Sequence, residues 1–166
     1  MLYIMKKIVW KFTNQRELSK SQFIDYFERK IFRTIRKYCL LPKNKIIKIK
    51  KTNSLNTAVL NHVLLKKFNT KFSNKPNLSS ENLSEIAEEI FSNTLKGKFF
   101  PKNLKPEKIK APLYFLSDEE IELYAKLGNI KGKRRIKNKK IQQLFEKFKN
   151  KNPDLEHNIA NAFLQI

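Results

Sequence analysis

The chain has 166 residues, of which 36 are Lys or Arg and 15 are Asp or Glu, so its formal net charge is +21 at pH 7. That length fits one domain with a modest core. The single cysteine, Cys39, excludes an intramolecular disulfide, a Cys-x-x-Cys zinc pair and a cluster held by several thiolates of the chain. Only three glycines are present, which leaves little material for a glycine-rich phosphate loop.

The positive charge and the hydropathy of the chain limit which partners and which cellular compartment are to be expected. A positive surplus of this size opposes compaction unless a polyanion offsets it, so nucleic acid is the first candidate partner. The alternative is an AT-rich genome, which inflates Lys without any binding function. No apolar run approaches the length that spans a bilayer, and the apolar stretch at the start is shorter than the core of a signal peptide. We therefore expect a soluble cytoplasmic protein with no membrane partner.

The first half of the chain alternates short strands with helices. Residues 5–12 alternate weakly and predict a half-exposed strand, whereas residues 19–38 repeat apolar side chains at helical spacing and predict a long helix with a basic face. Residues 45–51 alternate again and predict a strand, and a helix follows over about 57–68. Residues 69–80 are rich in Asn, Ser and Lys and predict a loop.

The second half of the chain is predicted to be helical. Residues 83–97 predict an amphipathic helix with a glycine stop. A connector rich in Pro and Lys over 101–112 leads to a helix over 117–128, which begins with a Ser-x-x-Glu capping box and ends at a glycine. The densest charge lies at 131–140 and runs into another helix, and a last short helix follows Pro153.

Two basic surfaces supply the candidate RNA-binding residues, one on the first long helix and one on the dense charge run. The alternative for the run is a solvated loop. We favour binding because phosphate contacts carry most non-specific affinity for nucleic acids, and because arginine binds phosphate bidentately. The candidates are Arg29, Lys30, Arg33, Arg36, Lys37, Lys131, Lys133, Arg134, Arg135, Lys137, Lys139 and Lys140.

Four segments, taken in order, resemble the PP-loop ATP pyrophosphatases that 2-thiolate tRNA, the archaeal and eukaryotic cytoplasmic type. Residues 21–38 are similar to the family's helix after its N-terminal zinc module, and residues 82–97 to its NLDD-type helix. Residues 109–125 are similar to its IKPLY segment, and residues 145–166 to its closing pattern. Together these segments cover most of the chain.

The resemblance implies a fold and a division of the chain. The implied fold class is α/β, a reduced, helix-rich, Rossmann-like domain of the adenine nucleotide alpha hydrolase type. We expect a vestigial zinc-ribbon-like hairpin over 1–20, a degenerate PP-loop domain over 21–130 and a basic C-terminal helical tail over 131–166.

The departures from the family pattern fall on its chemistry. The family's phosphate-binding SGGKDS loop corresponds to residues 51–56, which have neither glycine nor Asp. Its first zinc-binding Cys and His correspond to Ser19 and Gln22, and the aspartates of its LDD motif to Ser84 and Glu85. A short loop and the basic run replace its later cysteine-containing segments. The resemblance therefore implies no surviving catalytic residue, cofactor site or metal site.

These observations lead to a hypothesis with two alternatives. The leading hypothesis is a non-catalytic relative of tRNA 2-thiolation enzymes that binds tRNA or another RNA, with an active thiolase paralogue as a further candidate partner. The first alternative is a partial subunit of a tRNA thiolase, in which a partner chain completes ATP-dependent sulfur transfer. The second alternative is a gene product without a selected role. We expect no enzymatic activity from the chain alone.

Overall fold

The computed structural model describes residues 7–98 and 109–165, so the predicted strand from residue 5 and the connector over 101–112 lie partly outside it. The described residues form six helices and two small sheets, which confirms the expected helix-rich α/β class. None of these helices is long and apolar enough to cross a membrane. The elements in chain order are β1 (Ile8–Lys11), β2 (Glu17–Ser19), α1 (Lys20–Lys37), β3 (Ile46–Ile49), α2 (Leu55–Leu64), β4 (Asn69–Phe72), α3 (Leu83–Leu95), α4 (Asp118–Leu127), α5 (Lys139–Lys151) and α6 (Leu155–Leu164).

An antiparallel hairpin of β1 and β2 leads directly into α1. The hairpin turn is held by the Phe12 amide, which donates to the Arg16 carbonyl at 2.9 Å. β1 confirms the predicted strand. β2 lies within residues 1–20, where the resemblance implies a hairpin, and its 3 residues are too few to show an alternating pattern of their own. At the start of α1 the Ser19 amide donates to Gln22 Oε1 at 2.9 Å. The two positions where the resemblance places zinc ligands therefore help to begin a helix.

The second sheet pairs β3 with β4 in parallel, and α2 connects the two strands. β3 confirms the predicted strand, and α2 begins slightly earlier than predicted. The prediction of a loop over 69–80 is wrong at its start, because β4 lies there. Its backbone pairs with β3, and the Thr70 hydroxyl donates to Asn61 Oδ1 at 2.8 Å. These tertiary partners override the low strand propensity of a polar segment.

The larger core lies where α1, α2 and α4 pack around β3. Phe23, Phe27 and Ile31 form the buried stripe of α1, and Ile47 of β3 is fully buried with them. The ring of Phe27 stacks on Tyr124 of α4 with centroids 4.2 Å apart. This core fixes the carboxyl end of β3 and the start of α2, where the resemblance places a phosphate-binding loop.

A smaller core joins α3 to α6 and to residues 109–114. Leu83 and Ile86 of α3 pack there against Ala160 of α6, and the Tyr114 hydroxyl donates to the Ala160 carbonyl at 3.4 Å. The segment predicted as a C-terminal tail therefore contributes buried side chains to the domain.

The helix ends follow the predicted signals. The Ser117 amide donates to Glu120 Oε2 at 2.7 Å, and the Glu120 amide donates to Ser117 Oγ at 3.3 Å, which confirms the capping box of α4. Gly97 follows α3 with a φ of +70°, a conformation that favours glycine, and confirms the predicted stop. Cys39 is exposed beyond the end of α1, with a φ of +50°.

Candidate nucleic-acid interface

The loop between β3 and α2 ends in a cluster of hydroxyl groups. Thr52 Oγ1 lies 2.9 Å from Ser54 Oγ and 2.7 Å from Thr57 Oγ1. Ser80 Oγ lies 3.1 Å from Thr57 Oγ1. The Thr57 amide donates to Ser54 Oγ at 3.2 Å, which caps α2. The polar side chains of this loop therefore bind one another and the start of the helix.

Residues 131–134, here called the strap, lie across the start of α2. The Leu55 amide donates to the Lys133 carbonyl at 2.8 Å, and the Lys133 amide donates to the Asn53 carbonyl at 2.7 Å. Gly132 lies so close to the helix that a Cβ there would be 2.6 Å from Leu55 Cα. The strap thus joins the loop by two backbone hydrogen bonds and by a close approach that needs glycine.

The strap and the cap together occupy two amides at the start of α2, those of Leu55 and Thr57. A helix N-terminus binds phosphate through backbone amides that have no partner within the helix. In α2 the Leu55 amide is bonded to the strap, the Thr57 amide to Ser54 Oγ and the Ala58 amide to the Ser54 carbonyl. The strap and the cap thus leave neither the Leu55 amide nor the Thr57 amide free for a phosphate group.

A cluster of charged and polar side chains holds the starts of α3 and α4 together. Arg135 donates through Nε to Asp118 Oδ2 at 3.0 Å and through a terminal nitrogen to Glu88 Oε2 at 2.7 Å. Asn82 Nδ2 donates to Asp118 Oδ1 at 2.7 Å, and the Asp118 amide donates to Ser84 Oγ at 3.0 Å. Burial alone would raise the pKa of Asp118, but the hydrogen bonds from Arg135 and Asn82 outweigh it and hold that pKa below its usual range. Ser84, where the resemblance places an aspartate, is a buried acceptor.

Most of the predicted RNA-binding residues are exposed. Lys37 lies with its Nζ 5.4 Å from the centroid of the Tyr38 ring. Two of the exposed arginines have a surface ion pair, Arg29 with Asp25 at 2.9 Å and Arg134 with Glu122 at 3.1 Å. The exposed residues with no ion pair to an acidic side chain within 7–98 and 109–165 are Arg33, Arg36, Lys37, Lys131, Lys133, Lys139 and Lys140.

The other three predicted RNA-binding residues are only partly exposed and lie beside carboxylates. Arg135 belongs to the cluster around Asp118, and Lys137 Nζ lies 3.2 Å from Asp118 Oδ2. Lys30 is half-buried, with its Nζ 3.5 Å from Glu120 Oε1. Because these cations already have carboxylate partners, they contribute less free charge to a surface than the exposed set does. In the described residues, no hydrogen bond or ion pair joins the basic residues of α1 to those of 131–140.

The sequence analysis missed a further set of basic residues on β3 and β4. Residues 29–80 contain no Asp or Glu and 14 Lys or Arg. Lys48 of β3 and Lys71 of β4 are exposed and are partners in the parallel register. The missing acidic residues are a signal that the sequence alone could have supplied.

A cleft of about 630 Å³ opens between the hairpin, the start of α4 and the two C-terminal helices. At its wall the Tyr26 hydroxyl donates to Glu120 Oε1 at 2.6 Å, and Lys30 Nζ donates to Tyr26 Oη at 2.7 Å. Burial, reinforced by Glu120, raises the pKa of Tyr26, so its hydroxyl remains a donor at neutral pH. The three groups satisfy one another, as in a structural network.

Comparison with known proteins identifies the fold. No family model and no curated protein matches the sequence. The structure is similar to that of the U34-tRNA thiolase NcsA from Methanococcus maripaludis, determined with its [4Fe-4S] cluster. The TM-score is 0.75 at 13% sequence identity, and the match covers 99% of this chain and 85% of that chain. The chain therefore has a tRNA thiolase-like, Rossmann-like fold, as the resemblance implies.

Proposed function

We propose that this chain is a non-catalytic relative of the tRNA 2-thiolation enzymes that binds RNA, with tRNA as its preferred ligand. The observation that carries the proposal is the start of α2, where the Leu55 and Thr57 amides already have partners. These amides belong to the segment that corresponds to the family's PP-loop, whose backbone amides hold the pyrophosphate of ATP. A thiolase fold whose PP-loop segment has no glycine and has these amides occupied retains the scaffold for RNA without the nucleotide chemistry.

The donor set does not fit the cluster of the similar thiolase. A [4Fe-4S] cluster is held by thiolates from several cysteines, and this chain has one cysteine, which is exposed at the end of α1. Within the described residues, no group of three or more His, Cys, Asp or Glu side chains is arranged to hold a metal ion. No step of sulfur transfer is therefore assigned to the residues of this chain.

The charge distribution supports RNA as the ligand. The net charge is +21, and the exposed basic residues of α1 and of 131–140 include seven without an ion pair to a described acidic side chain. Cations of this kind bind phosphate and release counterions, which makes the affinity fall as salt rises. A cytoplasmic setting suits a tRNA ligand and forms part of the proposal.

An open edge strand supports a second candidate function, that of a partial thiolase subunit. β4 pairs with β3 alone among the described strands, and Phe72 at its end is 51% exposed. A partner chain with an intact SGGKDS loop and cysteines could extend the sheet at this edge. Co-purification of such a partner, with thiolation restored on mixing, would favour this candidate over the first.

Equilibrium binding to labelled tRNA tests the proposed function. The protein is titrated into labelled tRNA and, in parallel, into a duplex DNA of similar size, and fluorescence anisotropy is followed over a salt series. The proposal predicts a preference for tRNA and an affinity that falls linearly with salt on logarithmic axes. Equal binding to tRNA and DNA would mean that the charge is generic, and the proposal would fail.

A further inference from the structure

The longest acid-free part of the described chain folds around β3 and β4. With 14 basic residues and no acidic residue between 29 and 80, this segment has no internal countercharge. The acidic residue that precedes it, Glu28, forms an ion pair with Lys66 and accepts a hydrogen bond from the Tyr124 hydroxyl at 2.6 Å. The lysines of the two strands therefore lack a partner from their own segment.

The register of the sheet places Lys48 and Lys71 side by side. In a parallel pair, residues in register point to the same face, and neighbouring strands lie about 4.8 Å apart. Ile47 and Ile49 are buried, so Lys48 between them points outward. Like charges directly opposite on one face repel each other. The sheet therefore holds two exposed lysines side by side, and neither has an ion pair among residues 7–98 and 109–165.

Hydrogen bonds around Lys48 hold β3 and β4 in the register that places Lys48 beside Lys71. The Lys48 amide donates to Asn77 Oδ1 at 2.8 Å, and Asn77 Nδ2 donates to the Ile46 carbonyl at 3.1 Å. A slip of one residue would also turn Ile47 and Ile49 out of the core. The fold thus fixes the backbone positions of the two lysines relative to each other.

The basic surface continues from β4 towards α1. Lys67, at the turn before β4, lies with its Nζ 4.3 Å from the centroid of the Phe32 ring, and Phe68 packs edge-on to the same ring. Arg36 is exposed one turn beyond Phe32 on α1. The contact places the predicted basic face of α1 beside the start of β4.

We propose that the exposed face of the β3–β4 sheet, centred on Lys48 and Lys71, binds the phosphate backbone of RNA as a contact surface separate from the strap. A phosphate group near both lysines would be attracted by each of them and would offset their mutual repulsion. No carboxylate of the described residues forms an ion pair with either lysine, so none competes for that position. This inference rests on the proposed function, since it names the surface by which the same RNA is held.

Charge removal at this face, compared with the same removal elsewhere, tests the inference. The test variant is Lys48→Gln with Lys71→Gln. The matched control is Lys147→Gln with Lys151→Gln, because both of these lysines are exposed on α5 and have no ion pair among the described residues. Both variants lose the same charge. The probe is labelled tRNA, titrated over a salt series by fluorescence anisotropy.

We expect the test variant to bind tRNA at least about tenfold more weakly than the control, with a salt slope reduced by about 1 for each lysine removed. The charge-retaining variant Lys48→Arg with Lys71→Arg should bind as the wild type does, which attributes the loss to the removed charge. A thermal midpoint of the test variant no lower than that of the wild type excludes misfolding as the cause. Equal affinity of test and control variants, or a loss confined to duplex DNA, would overturn the inference while the proposed function stands. Failure of the wild type to bind tRNA would overturn both.

Discussion

Replacing Gly132 with alanine should loosen the strap from α2. The atoms nearest to an added Cβ belong to the backbone, with Leu55 Cα at 2.6 Å, Leu55 N at 2.9 Å and the Ser54 carbonyl carbon at 3.1 Å. No side-chain rotation relieves such an overlap. Either the start of α2 shifts or the strap moves away and loses its two hydrogen bonds with Asn53 and Leu55.

Both routes have similar costs. Overpacking costs about 1–3 kcal/mol, and two backbone hydrogen bonds contribute about 1 kcal/mol each. Alanine also lowers the conformational entropy of the unfolded chain, which stabilises the folded state by about 0.4–1 kcal/mol. We therefore expect Gly132→Ala to lower the free energy of unfolding by about 1–2 kcal/mol.

The other two glycines provide matched controls for urea unfolding followed by circular dichroism. Gly128 has a φ of −95° and 3.4 Å between an added Cβ and its nearest neighbours, so Gly128→Ala should change stability by less than about 0.5 kcal/mol. Gly97 has open space around it but a φ of +70°, so Gly97→Ala should cost about 1 kcal/mol through backbone strain alone. If Gly132→Ala is as stable as Gly128→Ala, the strap does not lie on α2, and the reasoning that it occupies the Leu55 amide is refuted.

Three further predictions concern the charged cluster, a helix cap and the lysine pair. Asp118→Asn should lower the free energy of unfolding in urea by about 2 kcal/mol at neutral pH, because Arg135 and Asn82 lose a charged acceptor; an unchanged midpoint would contradict it. The folded-state pKa of Asp118 is held below 3.8, so its contribution is full above that pH and disappears as pH falls through the folded pKa; acid should destabilise the wild type more than Asp118→Asn. Ser117→Ala should cost about 1 kcal/mol in the same assay, whereas Ser117→Thr should retain most of the cap, and equal stability of the two would count against it. Lys48→Gln with Lys71→Gln should raise the thermal midpoint, because a like-charge pair on neighbouring strands costs about 0.2–1 kcal/mol; a lower midpoint would argue against repulsion.

The helices were predictable because their signals are local. The repeat of Phe23, Phe27 and Ile31 predicts the buried stripe of α1, and the Ser117 and Glu120 pair predicts the start of α4. The strands β2 and β4 show no alternating pattern in the sequence because both are short, and their partners supply the hydrogen bonds. Such strands exist through tertiary pairing, which local composition does not report.

The candidate site was predictable only in part, because its decisive contacts join distant residues. The lack of glycine in residues 51–56 indicated a loop unsuited to phosphate, but the strap that closes it comes from about 80 residues further along the chain. Arg135 was predicted among RNA-binding residues with its neighbours, and its carboxylate partners Glu88 and Asp118 lie far from it in sequence. Whether a basic side chain is exposed or forms an ion pair depends on the fold. The sequence of a basic segment alone does not show it.

The most direct test of a thiolase fold that binds RNA without nucleotide is its affinity for labelled tRNA in two buffers, measured by fluorescence anisotropy. One buffer contains Mg-ATP, and the other contains a magnesium salt at the same free Mg²⁺ and the same ionic strength. The occupied amides at the start of α2 predict that the dissociation constant for tRNA is the same under both conditions. A dissociation constant that shifts when Mg-ATP is added would contradict the account, because it would mean that a nucleotide site survives and communicates with the RNA surface.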